Sequence, residues 1–254
     1  MNEKEIKKIT SLSQGKFRCK YGLFLVEGPH LVHELLKSDW HTQNIVISGR
    51  EIYSKNIKDI LELSAAKRVA VQTVEERLFE RLSTTQTPQG VLAVAPIPQM
   101  ALEQVILEER IIVLDKISDP GNLGTIIRTA AAFGFRGLIT TAGSADIYSP
   151  KVVRATQGAI FRLAFVDHII PAEVIENLKI GHKIYALSPH KGDGIDALET
   201  FKKMALVVGA EVSGVDPLFL KAADQLVRIS MTGRVESLNA AVAAGIAMFE
   251  FSLR

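Results

Sequence analysis

Six short apolar runs in the second half of the chain constrain its fold more than any other feature. They alternate with stretches of helical spacing and read "RIIVLD", "GLITT", "RLAFVDHII", "KIYALS", "MALVVGA" and "QLVRIS". Uninterrupted apolar runs of this length are typical of strands that are covered on both faces, as in a parallel sheet. The sequence therefore predicts an α/β fold, a mostly parallel sheet with helices on both faces.

The front of the chain alternates strands and helices on a smaller scale. Strands are predicted at 22–28, 43–48, 68–73 and 89–96, and helices at 29–38, 54–64 and 74–82. Pro96 and Pro98 then stop the last strand, and an amphipathic helix follows. We predict a small α/β domain over residues 1–96, a linker or helix over 97–108 and the larger domain over 109–254.

The composition is that of an ordinary soluble globular protein. Hydrophobic residues make up 47% of the 254 positions and charged residues 23%, and the apolar stretch 240–249 is too short to span a bilayer. The charged N-terminus lacks the apolar segment of a secretory signal. A single cysteine, Cys19, excludes an internal disulfide framework and fits a reducing compartment. We expect a cytoplasmic protein without a membrane partner.

The net charge of +2 is too small to indicate a nucleic-acid partner, but the basic residues are concentrated at the front. Residues 1–20 contain six of them against only Glu3 and Glu5. The six are Lys4, Lys7, Lys8, Lys16, Arg18 and Lys20. The pattern is typical of a solvated helix face and also fits an arm that contacts phosphates, and the sequence leaves both interpretations open.

The segments that follow the strands carry the candidate site, because ligands of parallel sheets bind beyond the carboxyl ends of the strands. The first is "DPGNLGTIIRTAAAFG", a glycine-containing loop and a helix predicted to begin near Asn122. Helical side chains point back toward the helix N-terminus, so Arg128 would lean across Gly124 toward that loop. A guanidinium beside free backbone amides suits an anion or a phosphodiester. The alternative is a solvent-facing Arg128 with Asn122 as the helix cap.

The second segment is "MALVVGAEVSGVDP". Gly209, at the end of the strand, would let a ligand approach the backbone closely. Glu211 and Gly214 form a predicted tight turn, and Pro217 begins a short helix. Glu211 could accept hydrogen bonds from a ribose or orient Arg128, and its alternative role is that of a turn carboxylate.

The third segment is "LVRISMTGRVESLNAAVAAGIAMFEFSLR", in which Ser237 is the predicted N-cap of the last helix. This helix is apolar almost all round and so is expected to be buried on most sides. Asn239, a polar amide in its first turn, then needs hydrogen-bond partners. Small residues four apart, Ala240/Ala244 and Ala241/Gly245, fit a tight contact with a ligand loop or a second subunit, or a well-packed core helix.

Several common site classes are disfavoured by missing motifs. The sequence has no G-x-G-x-x-G or P-loop pattern and no G-x-S-x-G or H-E-x-x-H pattern. His30 and His33 lie three apart on a predicted helix, but no cysteine or acidic residue completes a ligand set. We therefore expect no metal, and a nicotinamide dehydrogenase is a distant alternative.

The three segments, in this order and at this spacing, resemble the three motifs of the SpoU/TrmH family of RNA 2′-O-ribose methyltransferases, within the SPOUT superfamily. The resemblance covers residues 111–254 and is strongest in "DPGNLGTIIRTAAAFG" and "RISMTGRVESLNAAVAAGI". In the front segment, "KFRCKYGLFLVEGPHLVHELL" and "TPQGVLAV" are similar to the N-terminal RNA substrate-binding domain of many members, a small fold like certain ribosomal proteins.

The resemblance implies a C-terminal domain whose chain end threads through a loop as a trefoil knot. It also implies S-adenosyl-L-methionine as the cofactor and a homodimer formed through the C-terminal domain. Six residues match positions that line the family's cofactor pocket: Leu187, Gly209, Ala210, Ile229, Ser230 and Leu238. Five match its functional positions: Asn122, Arg128, Glu211, Ser237 and Asn239.

Arg128 matches the proposed catalytic arginine, which acts on the ribose 2′-hydroxyl as a base or by stabilising the developing alkoxide. The sequence departs from the family pattern at Ala210 and Val212, where members more often have Asn and Gly, and at Ala241, where Ser is frequent. These departures concern the fine structure of the cofactor pocket. Since all five functional residues are present, the resemblance implies an active enzyme.

The expected substrate is RNA, and the extra N-terminal domain favours a structured ribosomal RNA. Lys16, Arg18 and Lys20 are the candidate RNA contacts, on the strength of the basic excess at residues 1–20. Two alternatives remain, a transfer RNA 2′-O-methyltransferase and an RNA-binding protein of the same fold without catalytic activity. The presence of Arg128 argues against the second.

Overall fold

The chain forms two compact units in a computed structural model that describes residues 1–189, 191–233 and 237–253. The first unit contains Met1–Gln99 and Asp146–Phe161, and the second contains Met100–Ala145 and the part of the chain from Arg162 onward. The segment 146–161 packs with the first unit through aromatic rings. The ring of Tyr148 lies 5.1 Å from that of Phe24, and the ring of Phe161 lies 5.3 Å from that of Trp40. The sequence-based boundaries at 96 and 109 do not anticipate this insertion.

The first unit is built on a four-stranded mixed sheet. Its strands are β1 (Leu23–Glu27), β2 (Asn44–Ser48), β3 (Ala70–Val74) and β4 (Val91–Pro96), in the spatial order β1-β4-β2-β3. β2 and β3 are parallel, whereas β4 is antiparallel to both β1 and β2. The helices of this unit are α1 (Glu3–Ser11), α2 (Gly15–Tyr21), α3 (Pro29–Lys37), α4 (Lys55–Ala66), α5 (Glu76–Leu82) and, later in the chain, α8 (Pro150–Ala155). The strands and helices predicted between residues 22 and 96 are confirmed, with small shifts at their ends.

The second unit contains a seven-stranded sheet in which every adjacent pair of strands is parallel. The strands are β5 (Arg110–Asp115), β6 (Gly137–Thr141), β7 (Ala164–Ile169), β8 (Lys183–Leu187), β9 (Asp193–Gly194), β10 (Met204–Gly209) and β11 (Gln225–Arg228). Their order is β7-β6-β5-β10-β8-β11-β9. The predicted α/β fold with a mostly parallel sheet is thus confirmed. Only β9 was not predicted, because two residues are too short to carry an apolar pattern.

Among the described residues, the α-helices of the second unit are α6 (Leu102–Val105), α7 (Pro120–Ala132), α9 (Pro171–Leu178), α10 (Pro217–Ala222) and α11 (Ala240–Ser252). α7, α9 and α10 connect strands of the sheet, whereas α6 precedes β5 and α11 follows β11. The linker helix predicted from the proline pair is therefore only one turn long. Its apolar residues Leu102 and Val105 are buried against the core of the second unit. None of the helices in the described part of the chain is both long and apolar enough to span a bilayer.

The apolar runs became buried strands for the expected reason. The four central residues of β5, Ile111 to Leu114, are fully buried, and β6 and β10 flank this strand on its two sides. Burying each such side chain contributes about 1.5–3 kcal/mol. Because the chain runs from β5 through β6 and β7 to one edge and then crosses to the other side of β5, the strand order reverses between β5 and β10. Ligands of such sheets bind at the carboxyl ends of the strands near this reversal. Residues 234–236, between β11 and α11, lie outside the described residues, and the trefoil knot stays a prediction.

Candidate functional site

Three side chains from three separate segments are joined by hydrogen bonds in the second unit. Asn122 Nδ2 donates to Glu211 Oε1 at 2.5 Å. Asn239 Nδ2 donates to Asn122 Oδ1 at 3.0 Å and to Glu211 Oε1 at 3.2 Å. The structure therefore brings together three of the five residues that the resemblance marks as functional.

Helix ends supply the backbone groups for this cluster. Asn239 is the N-cap of α11, and its Oδ1 accepts from the amides of Ala241 at 2.9 Å and Val242 at 3.3 Å. The amide of Ala240 donates to Glu211 Oε1 at 3.3 Å. These bonds satisfy amides that have no partner within the helix. The prediction that Ser237 caps this helix is wrong, because the helix begins three residues later with Asn239 as its cap.

The start of α7 also differs from the prediction. Asp119 is its N-cap, and Asp119 Oδ1 accepts from the amide of Asn122 at 2.7 Å. The helix therefore begins at Pro120 rather than near Asn122. Since Asp119 satisfies the backbone amide, the side chain of Asn122 is left to bind Glu211.

The turn that carries Glu211 is held at both ends by Asp115, the last residue of β5. Asp115 is fully buried. Its backbone oxygen accepts from the amide of Ala210 at 3.1 Å, and its Oδ2 accepts from the amide of Asp216 at 2.7 Å. Its Oδ1 accepts from Thr141 Oγ1 at 2.8 Å. Asp115 is not among the predicted site residues, although its place at the carboxyl end of a buried strand was the available signal.

An ion pair strengthens the same attachment. Lys116 Nζ lies 2.8 Å from Asp216 Oδ2. The hydrogen bond from Lys116 is the main cause that lowers the pKa of the Asp216 carboxyl. The same bond, followed by the charge of Asp115, raises the pKa of Lys116. Both groups are thus held in their charged forms next to the turn.

The turn itself is tight, as predicted, but Gly209 has a different reason to be glycine. The amide of Gly214 donates to the oxygen of Ala210 at 2.8 Å, and Gly214 has a φ of +65°. A Cβ at Gly209 would lie 2.2 Å from the carbonyl carbon of Gly214 and 2.3 Å from its oxygen. The space beside Gly209 is therefore occupied by the turn's own backbone, which any side chain would displace.

A cavity lies beside this turn at the carboxyl ends of β8, β10 and β11. Five of the six predicted cofactor residues line it: Leu187, Gly209, Ala210, Ile229 and Leu238. Ser230 does not, whereas Glu211 and Ser237 do. The lining also includes Pro189 and Met231, which are not among the predicted site residues. Both residues directly follow predicted strands, and this position at the carboxyl end of a strand could have marked them as candidate site residues.

The predicted orientation of Arg128 by Glu211 is not seen. Arg128 is exposed on α7, and within residues 1–189, 191–233 and 237–253 its side chain has no ion pair or hydrogen bond. Glu211 is bonded instead to Asn122, Asn239 and the start of α11. Among the described residues, no side chain or backbone group binds the Arg128 guanidinium. A substrate could therefore approach it without displacing such a group.

The last helix buries its small residues inside the unit. Ala240, Ala241 and Ala244 are all buried, and Ala240 also lines the cavity. Large apolar residues on another face remain exposed: Val242, Ile246, Phe249 and Leu253. The expectation of a helix buried on most sides is therefore met on one side only, where Met248 and Phe251 are buried together with the small residues.

The candidate RNA contacts in the first unit fall into two groups. Lys16 and Lys20 are exposed on α2. Arg18 is 4% exposed, and its Nε and Nη2 donate to Asp146 Oδ2 at 3.0 and 2.5 Å while Nη1 donates to the oxygen of Leu12 at 2.7 Å. Arg18 therefore anchors α2 within the unit and does not present its guanidinium to a phosphate. No group of acidic, histidine or cysteine side chains in the described residues has the arrangement of a metal site.

Comparisons with known proteins match both units of the chain. The model of the SpoU rRNA Methylase family matches residues 109–249, and that of the MRM3-like substrate binding domain matches residues 3–93. The chain is 32% identical over 247 residues to the 23S rRNA (guanosine(2553)-2′-O)-methyltransferase RlmP of Bacillus subtilis strain 168, and the match covers 96% of this chain and 94% of the relative.

Two further comparisons concern Streptomyces viridochromogenes. The chain is 29% identical over 241 residues to its 23S rRNA (uridine(2479)-2′-O)-methyltransferase, with 92% of this chain and 83% of the relative covered. The crystal structure of the SpoU methyltransferase AviRb from the same organism, in complex with AdoMet, superimposes with a TM-score of 0.88 and 28% identity. That superposition covers 100% of this chain and 98% of the other.

Proposed function

We propose that this chain, which belongs to the SpoU rRNA methylase family, transfers the methyl group of S-adenosylmethionine to a ribose 2′-hydroxyl of ribosomal RNA. The observation that most supports this function is the cluster of Asn122, Glu211 and Asn239 beside a cavity at the carboxyl ends of parallel strands. Such a cluster fixes polar groups from three segments at the place where a ligand of this fold binds.

The chemistry of the cavity suits this cofactor. Of the described residues that line it, Glu211 alone carries a charged side chain, and most of the others are apolar or glycine. S-adenosylmethionine contains a cationic sulfonium and no phosphate, and backbone amides can bind its one carboxylate, so a pocket without lysine or arginine suits it. When bound, it supplies an electrophilic methyl group. Leu187, Ile229 and Leu238 would enclose its apolar parts, and the backbone at Gly209 and Ala210 would offer hydrogen bonds.

The role assigned to Arg128 follows from the chemistry of its side chain. Arginine stays protonated in proteins, so it is a poor general base at neutral pH. A guanidinium without a protein partner can instead donate hydrogen bonds to the 2′-oxygen as negative charge develops there. The proton then passes to a phosphate or to water. Asn122, Glu211 and Asn239 hold the two helix starts and the turn in fixed positions, and Ser237 lies at the cavity wall.

Ribosomal RNA is the favoured substrate because two similar proteins are named as 23S rRNA methyltransferases. One acts on a guanosine and the other on a uridine, so the target nucleotide differs between relatives. A protein that methylates ribosomal RNA works where ribosomes are assembled, and we therefore expect this chain in the cytoplasm.

A homodimer is the proposed assembly, through the exposed stripe Val242, Ile246, Phe249 and Leu253. The stripe continues to Phe133 at the end of α7, whose ring lies 5.7 Å from that of Phe249. The four positions follow a spacing of four, three and four residues, so they lie on one side of α11. Large apolar side chains exposed together on one side of a helix are typical of a contact with another protein chain.

The test of the function is a map of 2′-O-methylation in total RNA from cells with and without the gene. We expect one ribosomal RNA nucleotide to lose its methyl group and to regain it when purified protein and S-adenosylmethionine are added to the undermethylated ribosomal RNA. Loss of a methyl group from a transfer RNA would redirect the proposal to that substrate. An unchanged map, together with no methyl transfer by the purified protein, would overturn it.

A further inference from the structure

Two aromatic rings lie one helical turn apart at the surface of the first unit. Phe17 and Tyr21 are both on α2, with ring centroids 6.2 Å apart and ring planes inclined by 13°. Tyr21 is 37% exposed and Phe17 is half-buried. The pair therefore offers nearly parallel π surfaces at the edge of the unit.

Three lysines surround these rings. Lys16 Nζ lies 4.9 Å from the centroid of Phe17. Lys20 Nζ lies 5.5 Å and Lys8 Nζ 5.3 Å from the centroid of Tyr21. Within the part of the chain that the structure describes, none of the three lysines forms an ion pair. The five residues, here called the aromatic–lysine platform, thus combine flat rings with three positive charges that no carboxylate neutralises.

The helix that carries the rings is firmly attached to its unit. Arg18, on the buried side of α2, binds the Asp146 carboxylate and the oxygen of Leu12. The helix ends at Gly22, whose φ of +61° closes it in the left-handed conformation. Because these contacts fix α2 before any ligand arrives, the rings are preorganised, which reduces the entropy cost of binding.

We propose that the aromatic–lysine platform stacks an unpaired base of the RNA substrate, while Lys8, Lys16 and Lys20 contact the neighbouring phosphates. The inference rests on the proposed function, which supplies RNA as the substrate. Aromatic rings stack on every base because each base has a π face, and flanking lysines follow the phosphate backbone. Duplex RNA keeps its base faces inside the stack, so the platform selects a loop, bulge or single-stranded segment. Because a lysine side chain has a flexible four-carbon stem, the ammonium groups now over the rings can move to phosphates when a base takes their place.

The experiment measures binding of the full-length protein to a short fluorescent single-stranded RNA and to its duplex over a series of salt concentrations. The variants are Tyr21→Leu, Phe17→Leu and the double Lys16→Gln/Lys20→Gln, with Tyr21→Phe as the matched control that keeps the ring. Loss of base stacking predicts that each Leu variant binds the single strand about 5- to 150-fold more weakly, with an unchanged salt slope and unchanged duplex binding. In the lysine variant, the slope of the logarithm of the binding constant against the logarithm of the salt concentration should become less steep by about 0.7 for each phosphate that is no longer bound. Tyr21→Phe should bind like the original protein.

A second readout keeps the proposal testable if a Leu variant is unstable. The original protein should quench a 2-aminopurine base placed in the single-stranded RNA, because stacking on an aromatic ring quenches this fluorophore. Absence of quenching, or full single-strand affinity in both folded Leu variants, would overturn the platform. A platform failure is distinguishable from a failure of the proposed function, since the latter also removes methyl transfer by the original protein.

Discussion

Asn122 and Glu211 lie 89 positions apart in the sequence, and their side chains form a hydrogen bond of 2.5 Å. The same Glu211 oxygen accepts from Asn239 and from the first amide of α11. One carboxylate oxygen therefore fixes the relative positions of the start of α7, the turn after β10 and the start of α11. We therefore predict that Glu211 acts as a positioning residue, in addition to its place in the cavity wall.

Replacing Glu211 by Ala should separate these three segments. We expect methyl transfer to fall about 100-fold, because a displacement of about 1 Å at a reacting centre costs a factor of this order. The thermal midpoint should change little, since Glu211 is exposed. Glu211→Gln keeps an oxygen acceptor and should retain more activity than Glu211→Ala. Methyl-transfer assays with labelled cofactor, alongside thermal unfolding, measure both effects, and near-normal turnover in Glu211→Ala would contradict the positioning role.

Arg128→Ala should remove methyl transfer while leaving the fold and the cofactor affinity intact. Arg128 is exposed and has no side-chain partner among the described residues, so its removal breaks no interaction there. Removing a donor that stabilises a developing negative charge lowers turnover by about 100- to 1,000-fold. Arg128→Lys keeps the charge but not the fork of donors and should recover only part of the rate. Single-turnover kinetics at saturating cofactor measure the rate, and calorimetry measures the cofactor affinity. A near-normal rate in Arg128→Ala would contradict the proposed role of Arg128.

Gly209→Ala should disturb the turn that carries Glu211. The added Cβ would meet the backbone of Gly214 at 2.2 Å, so the turn must move away. We expect lower stability, weaker S-adenosylmethionine binding and lower turnover together. Gly181→Ala is the matched control, because a Cβ there has nothing within 4 Å and no positive φ is involved. Equal cofactor affinities in the two variants, measured by calorimetry, would show that the turn does not shape the cavity.

Sequence patterns between neighbouring residues predicted many of the strands and helices. The features that were not predicted depend on contacts between residues far apart in the sequence. The apolar runs of β5 and β10 and the Pro217 helix start could be recognised because each depends on neighbouring residues. The burial of Arg18 could not, since its partner Asp146 lies 128 positions away. In the sequence, Lys16, Arg18 and Lys20 are equivalent members of a basic cluster. Only the tertiary contacts show that Arg18 is buried while Lys16 and Lys20 are exposed.

The same distinction applies to the candidate site. Family resemblance marked Asn122, Glu211 and Asn239, but it did not predict that they bond to one another. Gly209 was expected to make room for a ligand, whereas its neighbour is the backbone of Gly214 in the same turn. Asp115 was missed because its role depends on Thr141 and on Asp216, which lies 101 positions further on.

The Lys116–Asp216 pair predicts how the stability of this region depends on pH. The pKa of Asp216 is lowered below the ordinary 3.8, so the stability it contributes is fully present above 3.8 and is lost as pH falls through the folded-state pKa. The pKa of Lys116 is raised above 10.5, so its contribution is fully present below 10.5 and is lost as pH rises through the folded-state pKa. The pair therefore stabilises the fold over the interval between these values.

Chemical unfolding at a series of pH values measures the difference in free energy of unfolding between the original protein and Lys116→Met. The difference should be constant across the neutral range and should shrink in strong acid and in strong base. Lys58→Met is the control, because Lys58 and Glu62 form an exposed pair of 3.9 Å on α4 that contributes little in water. A difference that does not shrink in acid would mean that Lys116 acts through packing rather than through its ion pair.

If the exposed stripe on α11 forms the dimer contact, a charged residue introduced into the stripe should weaken the dimer. Val242 is 50% exposed, Ile246 36%, Phe249 44% and Leu253 66%, although the small-residue face of the helix is buried. An aspartate at Ile246 or Phe249 would be buried without a partner in the proposed interface, at a cost of about 3–5 kcal/mol. The dimer dissociation constant should then rise by about two to four orders of magnitude.

Sedimentation velocity over a range of protein concentrations measures that constant for Ile246→Asp and Phe249→Asp. Val212→Asp is the matched control, because Val212 is fully exposed on the turn after β10 and lies outside the stripe. Folding of the monomeric variants is checked by circular dichroism. We expect dimers for the original protein and for Val212→Asp, and folded monomers for the two stripe variants. Folded stripe variants that remain dimers would place the subunit contact elsewhere, because no interface that buries these side chains tolerates an unpaired carboxylate without weakening.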